Sequence, residues 1–282
     1  MGEEGRKEII KTKIFRFHEG ESYPGYDEVA REDALEIRLN GQTLVYLMRL
    51  PGDDRILAAG FCLSEGIIRD PSQIELIHSC EDDEAFEIGQ IKGEAREGKA
   101  GNLVEIRAKI EGGDERFRAS RVVRTGCGGA DLKKEIDLEG IHITSDVLFH
   151  AQTIINAPKV MLGAQGIFRE TGGTHGAGIF DNSGRMLVVK EDIGRHNAID
   201  KVLGYLLLSG EPTDDKGLVI SGRLSYEMVL KAARARIPLI CSISAPTSLG
   251  VEVGRITGVT LVGFTRGASF NVYSNEHRIG GV

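Results

Sequence analysis

The sequence predicts an α/β protein, a mixed sheet with helical crossovers preceded by a smaller strand-rich subdomain. Three observations carry this. From residue 176 onward, short β-branched runs alternate with segments of helical spacing, the pattern of strands joined by crossovers. Before residue 125 the alternating runs are mostly strand-like. The chain has 282 residues, 41% of them hydrophobic, enough to bury a core without covalent staples. The expected organisation is a strand-rich subdomain over 1–124, a mobile glycine-rich loop over 125–145, and an α/β domain over 146–282.

The elements follow in order. Residues 8–17 alternate as a strand. Residues 34–50 read as a hairpin around Asn40-Gly41, a dipeptide suited to tight turns. Residues 53–68 have helical spacing and end before Pro71. Strands are expected near 73–79, 85–91, 102–110 and 115–124. Residues 146–168 read as a helix interrupted at Pro158. A hairpin through Asp181–Gly184 then opens the regular part. Helices over 197–208, 225–236 and 248–256 alternate with strands over 217–221, 238–244 and 260–264, and a last strand covers 270–274.

Composition narrows the function classes. Glycine is the outlier, 37 of 282 residues, or about 13% against a usual ~7%. With only 7 prolines and no period of three, collagen is excluded. The glycines must serve turns or close backbone approaches. Four scattered cysteines, Cys62, Cys80, Cys127 and Cys241, form no disulfide framework or paired zinc motif and suit a reducing cytoplasm. No apolar run is long enough for a membrane helix, so no membrane association is expected. Residues 1–120 carry 17 basic and 26 acidic side chains, against 18 and 16 in 121–282. Such an acidic half argues against nucleic-acid binding, which needs a basic face.

In an open α/β sheet, ligands bind beyond the carboxyl ends of the strands. Four loops fall there, at Glu191–Asn197, Gly222–Ser225, Ala245–Ser248 and Thr265–Gly267. Three carry arginine (Arg195, Arg223, Arg266), and three open a helix, whose free N–H groups favour an anion. Capping and turn chemistry explains each loop singly, with Ser225 and Ser248 as N-caps, but the four together point to a phosphate-bearing ligand. Asp200 is placed to pair with Arg195 or a ligand edge, and Glu227 and Lys231 read as an i,i+4 surface pair. His175 follows Gly172-Gly173, where backbone and imidazole can both approach a substrate.

Cys127 differs from the other cysteines. It sits in Thr125-Gly126-Cys127-Gly128-Gly129, with Arg121, Arg124, Lys133 and Lys134 nearby, so positive charge favours the thiolate and the glycines leave it accessible. Cys62 and Cys241 lie among apolar residues and read as core, and acidic neighbours blunt Cys80. A cysteine phosphatase is excluded because Lys133 stands where C-x5-R needs arginine. A zinc deaminase is excluded because His175-Gly176-Ala177 lacks the glutamate and no P-C-x-x-C exists.

Six segments, TGCGG (125–129), TGGTHGAGIFD (171–181), VVKEDIGRHNAIDKVLG (188–204), SGRLSYEMVLKAA (221–233), SAPTSLGVEV (244–253) and TLVGFTRGASFNVYS (260–274), resemble the formate dehydrogenase accessory sulfur-carrier family, FdhD. The resemblance covers roughly residues 30–280. It implies a three-layer, cytidine-deaminase-like α/β core without zinc, a cytoplasmic homodimer, and a sulfurtransferase role. A cysteine persulfide would take sulfur from a cysteine desulfurase. It would pass that sulfur to the molybdenum or tungsten bis(molybdopterin guanine dinucleotide) cofactor that serves formate dehydrogenase. By position, Cys127 becomes the persulfide carrier. Phe264, Thr265, Arg266, Gly267, Ala268 and Ser269 match the cofactor-binding stretch, and Arg195, His196, Arg223, Ser225 and His175 would complete a pocket for the GDP-like moiety. Many members carry C-x-x-C where this chain has Ala130, so a relay between two cysteines in this loop is excluded. A cofactor-binding chaperone without covalent chemistry is the alternative.

Overall fold

The computed structural model describes residues 7–79, 102–110, 138 and 140–281. The strands expected near 85–91 and 115–124, Cys80, and the Cys127 loop with Gly126, Gly128 and Gly129 lie outside the described residues. The first element is a ribbon of β1 (Ile9–His18) and β2 (Glu21–Ala30), paired antiparallel along their whole length. The sequence reading missed β2, whose Pro24 and Gly25 mask its alternation. A four-stranded sheet follows, in the order β4-β3-β6-β5, from β3 (Asp33–Leu39), β4 (Gln42–Arg49), β5 (Ile74–Ser79) and β6 (Leu103–Ala108). As expected, Asn40 and Gly41 join β3 to β4, both at positive φ (51° and 80°), the backbone that a two-residue type I′ hairpin requires. Helix α1 (Asp54–Ser64) leads from β4 toward β5.

The second half is built on a six-stranded mixed sheet in the order β13-β12-β11-β10-β8-β9. Its strands are β8 (His175–Asp181), β9 (Met186–Asp192), β10 (Lys216–Ile220), β11 (Leu239–Ser242), β12 (Thr260–Arg266) and β13 (Ser269–Ser274). Two short strands, β7 (Phe149–His150) and β14 (Ile279–Gly280), pair separately in parallel.

Helix α2 (Ala151–Ala164) covers one face of this sheet. It packs Ile154, Ala157 and Met161 with Phe180, Val219, Leu239, Cys241 and Val262, while the Phe149 ring meets Phe180 edge-on at 5.8 Å. Pro158 does not interrupt α2; the break comes at Gln165, after which α3 (Gly166–Thr171) begins. The buried packing of α2 outweighs the single backbone hydrogen bond that proline cannot donate.

The other face carries α4 (Arg195–Ser209), α5 (Tyr226–Arg234) and α6 (Ser248–Thr257). Beyond them lie α1 and the four-stranded sheet. One continuous apolar core therefore draws Leu35, Ile37, Leu57 and Ile106 from the first half and Ile199, Leu203, Leu218 and Met228 from the second. Helices α1 and α4 cross backbone against backbone: a β-carbon at Gly60 would overlap the Asp200 carbonyl oxygen, and one at Gly204 would overlap that of Ile56. Among the described residues the tightest glycine approach is thus between helices.

Polar groups tie the same seam. Lys201 pairs with Asp192 at 2.8 Å, both essentially without solvent exposure. Lys231 lies 2.9 Å from Asp200 and 2.7 Å from Ser64 Oγ, and Ser64 Oγ donates to Asp200 at 2.6 Å. These contacts overturn two expectations. Asp200 faces neither Arg195 nor a ligand, and Lys231 is a buried partner of Asp200 and not the surface partner of Glu227, because α1 closes over that side of α4 and α5. Burial pushes the Asp200 carboxyl up, opposed by the Lys231 charge. Cys62 and Cys241 are buried free thiols, raised by desolvation well above the ordinary range, as their apolar settings led us to expect.

Candidate functional site

Strand direction decides where the loops gather. Strands β10, β11 and β12 run parallel, β8 runs antiparallel to β10, and β9 runs antiparallel to β8. The carboxyl ends of β9, β10, β11 and β12 therefore share one edge with the first residue of β8, His175. Arg195, His196, Arg223, Ser225 and Phe264–Ser269 all sit at that edge. Helices α4, α5 and α6 start there, at Arg195, Tyr226 and Ser248. Ser225 stands at the N-cap position of α5, but its hydroxyl caps nothing; it is buried with no hydrogen-bond partner among the described residues. Ser248 is not a cap either. Thr247 accepts from the Gly250 N–H in that role.

On one side of the edge lies a cleft of about 550 Å³. Helix α2 supplies an apolar wall of Ile155, Pro158 and Leu162, with Lys159 among them, and the strand ends supply Ser221, Ile243, Ser244, Thr265, Arg266 and Gly267. Thr265 is 2% exposed, and its Oγ1 has no hydrogen-bond partner among the described residues. Buried hydroxyls usually find partners, so this one is available to a bound molecule. Register slips between Gly263 and Arg266, and Phe264 adopts φ of 53°, a left-handed backbone that costs an aromatic residue about 1–3 kcal/mol. It is held by its N–H donating to the Ser244 carbonyl at 3.0 Å. The bulge turns the Phe264 ring outward, and the Arg266 guanidinium sits 5.3 Å from its centroid while Nε donates to the Ile243 carbonyl. Gly267, at φ of 61°, and Ala268 then make the two-residue turn into β13.

At the same edge, Ser221 Oγ accepts from the Gly176 N–H at 3.1 Å and lies 3.1 Å from His175 Nδ1. Burial, followed by the charges of Arg195 and His196, pushes the His175 pKa down. The neutral ring is favoured, with Nδ1 sharing a hydrogen bond with Ser221 Oγ. His196 Nε2 donates to Glu227 Oε2 at 2.9 Å, the largest cause holding Glu227 below the usual carboxylate range. Arg195 and Arg223 are exposed.

The long charged run 188–204 divides by role. Glu191 accepts from the Ile167 and Phe168 N–H groups at 3.0 and 2.7 Å, anchoring the start of α3. Asp192 accepts from the Gly194 N–H and from Asn197 Nδ2, each at 3.0 Å, and Asn197 also reaches the Met48 carbonyl. Only Arg195 and His196 turn to the edge. Two participants escaped the sequence reading, Lys159 and the apolar wall beside it. No local motif marks them, because α2 arrives from about a hundred residues away.

Comparisons with known proteins bear on this arrangement. The family described as FdhD/NarQ matches residues 30–280. A sulfur carrier protein FdhD from Streptomyces avermitilis is 36% identical over 278 residues, covering 95% of each chain. One from Thermoplasma volcanium is 40% identical over 264 residues, covering 90% of this chain and 89% of its own. A crystal structure of a putative formate dehydrogenase accessory protein from Desulfotalea psychrophila superposes with a TM-score of 0.74 at 28% identity, covering 96% of this chain and 99% of that one.

Proposed function

The chain belongs to the FdhD/NarQ family, and from that premise we propose that it is a sulfur carrier required for formate dehydrogenase activity. Cys127 takes sulfur from a cysteine desulfurase and delivers it to a molybdenum or tungsten bis(molybdopterin guanine dinucleotide), the substrate held at the strand-end site. The first step is redox-neutral: the Cys127 thiolate attacks the outer sulfur of the donor persulfide, the sulfur–sulfur bond breaks, and the donor cysteine leaves as thiolate. The layered sheet and helices are read as a cytidine-deaminase-like core without zinc, working in the cytoplasm.

The observation that carries the binding half is the cleft. It combines an apolar wall, Arg266 and Lys159 for phosphate charge, and the buried Thr265 hydroxyl, which has no partner among the described residues. Arg195, His196, Arg223, Ser225 and His175 extend the polar surface along the same edge. The names of the relatives support the sulfur-carrier half.

Calorimetry with GDP tests the site. Arg266→Ala is expected to weaken binding about 10- to 100-fold, the scale of a lost charged hydrogen bond. Unchanged affinity would overturn the assignment. Intact-mass measurement after incubation with a desulfurase and cysteine tests the carrier step, with Cys127→Ala expected to accept no sulfur. Ala130, in place of a second cysteine, favours the alternative of a chaperone that shields the cofactor without covalent chemistry. That reading requires Cys127→Ala to support formate dehydrogenase maturation fully.

A further inference from the structure

Helices α4 and α5 start at the same edge, and two polar pairs bridge them one turn apart. The inner pair is Asp200 of α4 with Lys231 of α5, at 2.9 Å and almost without solvent exposure. The outer pair is His196 of α4 with Glu227 of α5, also at 2.9 Å, with side chains 34% and 41% exposed. Each member of the outer pair stands four residues before a member of the inner one, so the two are stacked along both helices. The inner pair ties the helices where solvent hardly reaches. The outer pair adds little to that, because an exposed ion pair is worth only about 0–1 kcal/mol. What it does is hold the His196 ring in one place at the edge.

The partner decides what that ring can offer. Glu227 is held below the usual carboxylate range, first by the hydrogen bond from His196. An ionised carboxylate only accepts, so Nε2 carries a proton and Nδ1 is the remaining polar atom of the ring. Nδ1 has no hydrogen-bond partner among the described residues. A neutral ring presents a lone pair there, whereas an imidazolium presents a second N–H. His196 is the second residue of α4, where the helix dipole opposes a cation, and Glu227 is the second residue of α5, where the dipole favours an anion. Glu227 thus supplies the counter-charge that an imidazolium at the start of α4 needs. The other groups around the pair are Arg195 on α4, Arg223 before α5, His175 at the start of β8, and the Tyr226 hydroxyl, 3.5 Å from the second Glu227 oxygen. Behind them, Lys231 and Glu65 offset one another at 3.1 Å. Two exposed arginines against one carboxylate leave this part of the edge positive, which suits an anion.

Given a diphosphate-bearing substrate at this edge, the reading on which this inference rests, we propose that Glu227 is a positioning residue that presents His196 as an imidazolium, whose Nδ1–H donates to a phosphate oxygen of that substrate. A neutral His196 would turn a lone pair toward the phosphate and repel it. Binding is therefore coupled to protonation, and affinity falls as pH rises through the histidine range. Arg195 and Arg223 stay charged throughout that range and contribute a constant background.

Calorimetry of the full chain with GDP-mannose, between about pH 5.5 and about pH 8.5, tests this. The diphosphate of this probe is esterified at both ends, so it lacks the terminal phosphate of GDP, which itself titrates at about pH 6. Wild-type affinity is expected to fall about 10-fold or more across the range, the scale of one charge-assisted hydrogen bond. His196→Gln is expected to bind at the high-pH level of the wild type, with no slope. Glu227→Gln can still accept from Nε2 but carries no charge, and its affinity is expected to fall at a lower pH than that of the wild type. His175→Gln is expected to keep the wild-type slope. The His196 and Glu227 changes are nearly isosteric at partly exposed positions, so circular dichroism is expected to be unchanged. Measurable binding without a slope would overturn the inference and leave the site standing. So would a slope that survives in His196→Gln, one that vanishes in His175→Gln, or a Glu227→Gln profile that does not move, which would make the pair a helix tie only. No binding at any pH would overturn the site itself and the inference with it.

Discussion

At the seam between α1 and α4, Lys201 and Asp192, and Lys231, Asp200 and Ser64, pair with one another almost without solvent exposure. At the strand-end edge, Arg195 and Arg223 face solvent, and Ser225 and Thr265 keep buried hydroxyls with no partner among the described residues. Residues of both regions stand side by side in one stretch, Glu191 to Lys201. The difference teaches that density of charged residues in a motif does not mark a site; what marks it is polar capacity left over after the fold has taken its share. The seam spends its capacity on holding two halves together. The edge holds its own in reserve.

Breaking the seam should be the most costly change. Asp200→Ala leaves the buried Lys231 ammonium with only Ser64 Oγ and the part-exposed Glu65 carboxylate at 3.1 Å, and a loss toward the lower end of about 3–5 kcal/mol of stability is expected. Urea unfolding measures it, and a loss under about 1 kcal/mol would erase the contrast. Gly204→Ala inserts a methyl group where the Ile56 carbonyl stands, with about 1–3 kcal/mol expected from the forced separation of α1 from α4.

Edge variants should show the opposite pattern. Arg195→Ala is expected to leave stability within about 0.5 kcal/mol of wild type while GDP affinity falls severalfold in titration. Phe264→Gly removes a strained left-handed residue, so stability should change by no more than about 1 kcal/mol, in the favourable direction, while ligand affinity drops. A parallel loss of stability and affinity would show the bulge to be structural only.

The smallest effect concerns pH. His175 has its pKa lowered in the fold, so the unfolded chain takes up its proton first as pH falls. Stability from this group is therefore complete above the ordinary histidine value and declines as pH drops through it toward the lower folded value. His175→Gln should flatten that part of the stability profile, measured by melting temperature between about pH 7 and pH 5.

Much of the architecture follows from sequence alone. Alternation set the strands from β8 to β13, Asn40-Gly41 set its turn, and the order of strands and crossovers placed four polar loops on one edge, because parallel strands joined by helices must end on the same side. Even so, β2 was lost, because proline and glycine interrupt the apolar period, and Pro158 misled because it is tolerated inside a helix whose packing compensates.

The sequence by itself determined which residues could share a face of an element; only the tertiary structure decided what that face would meet. Asp192 and Asn197, in a strand-end loop, and Asp200, at the start of the helix, read as candidates for ligand contact because helical spacing says nothing about a second segment closing over the other side. In α4 nearly every residue from Asn197 to Leu208 is buried, since the six-stranded sheet covers one side and α1 the other. Polar groups in such a helix must pair internally, because unpaired charge without water costs several kcal/mol. Lys159 illustrates the converse. It is an ordinary surface lysine in the sequence, and the packing of α2 beside the edge makes it line, with Arg266, a cleft that no local pattern encodes.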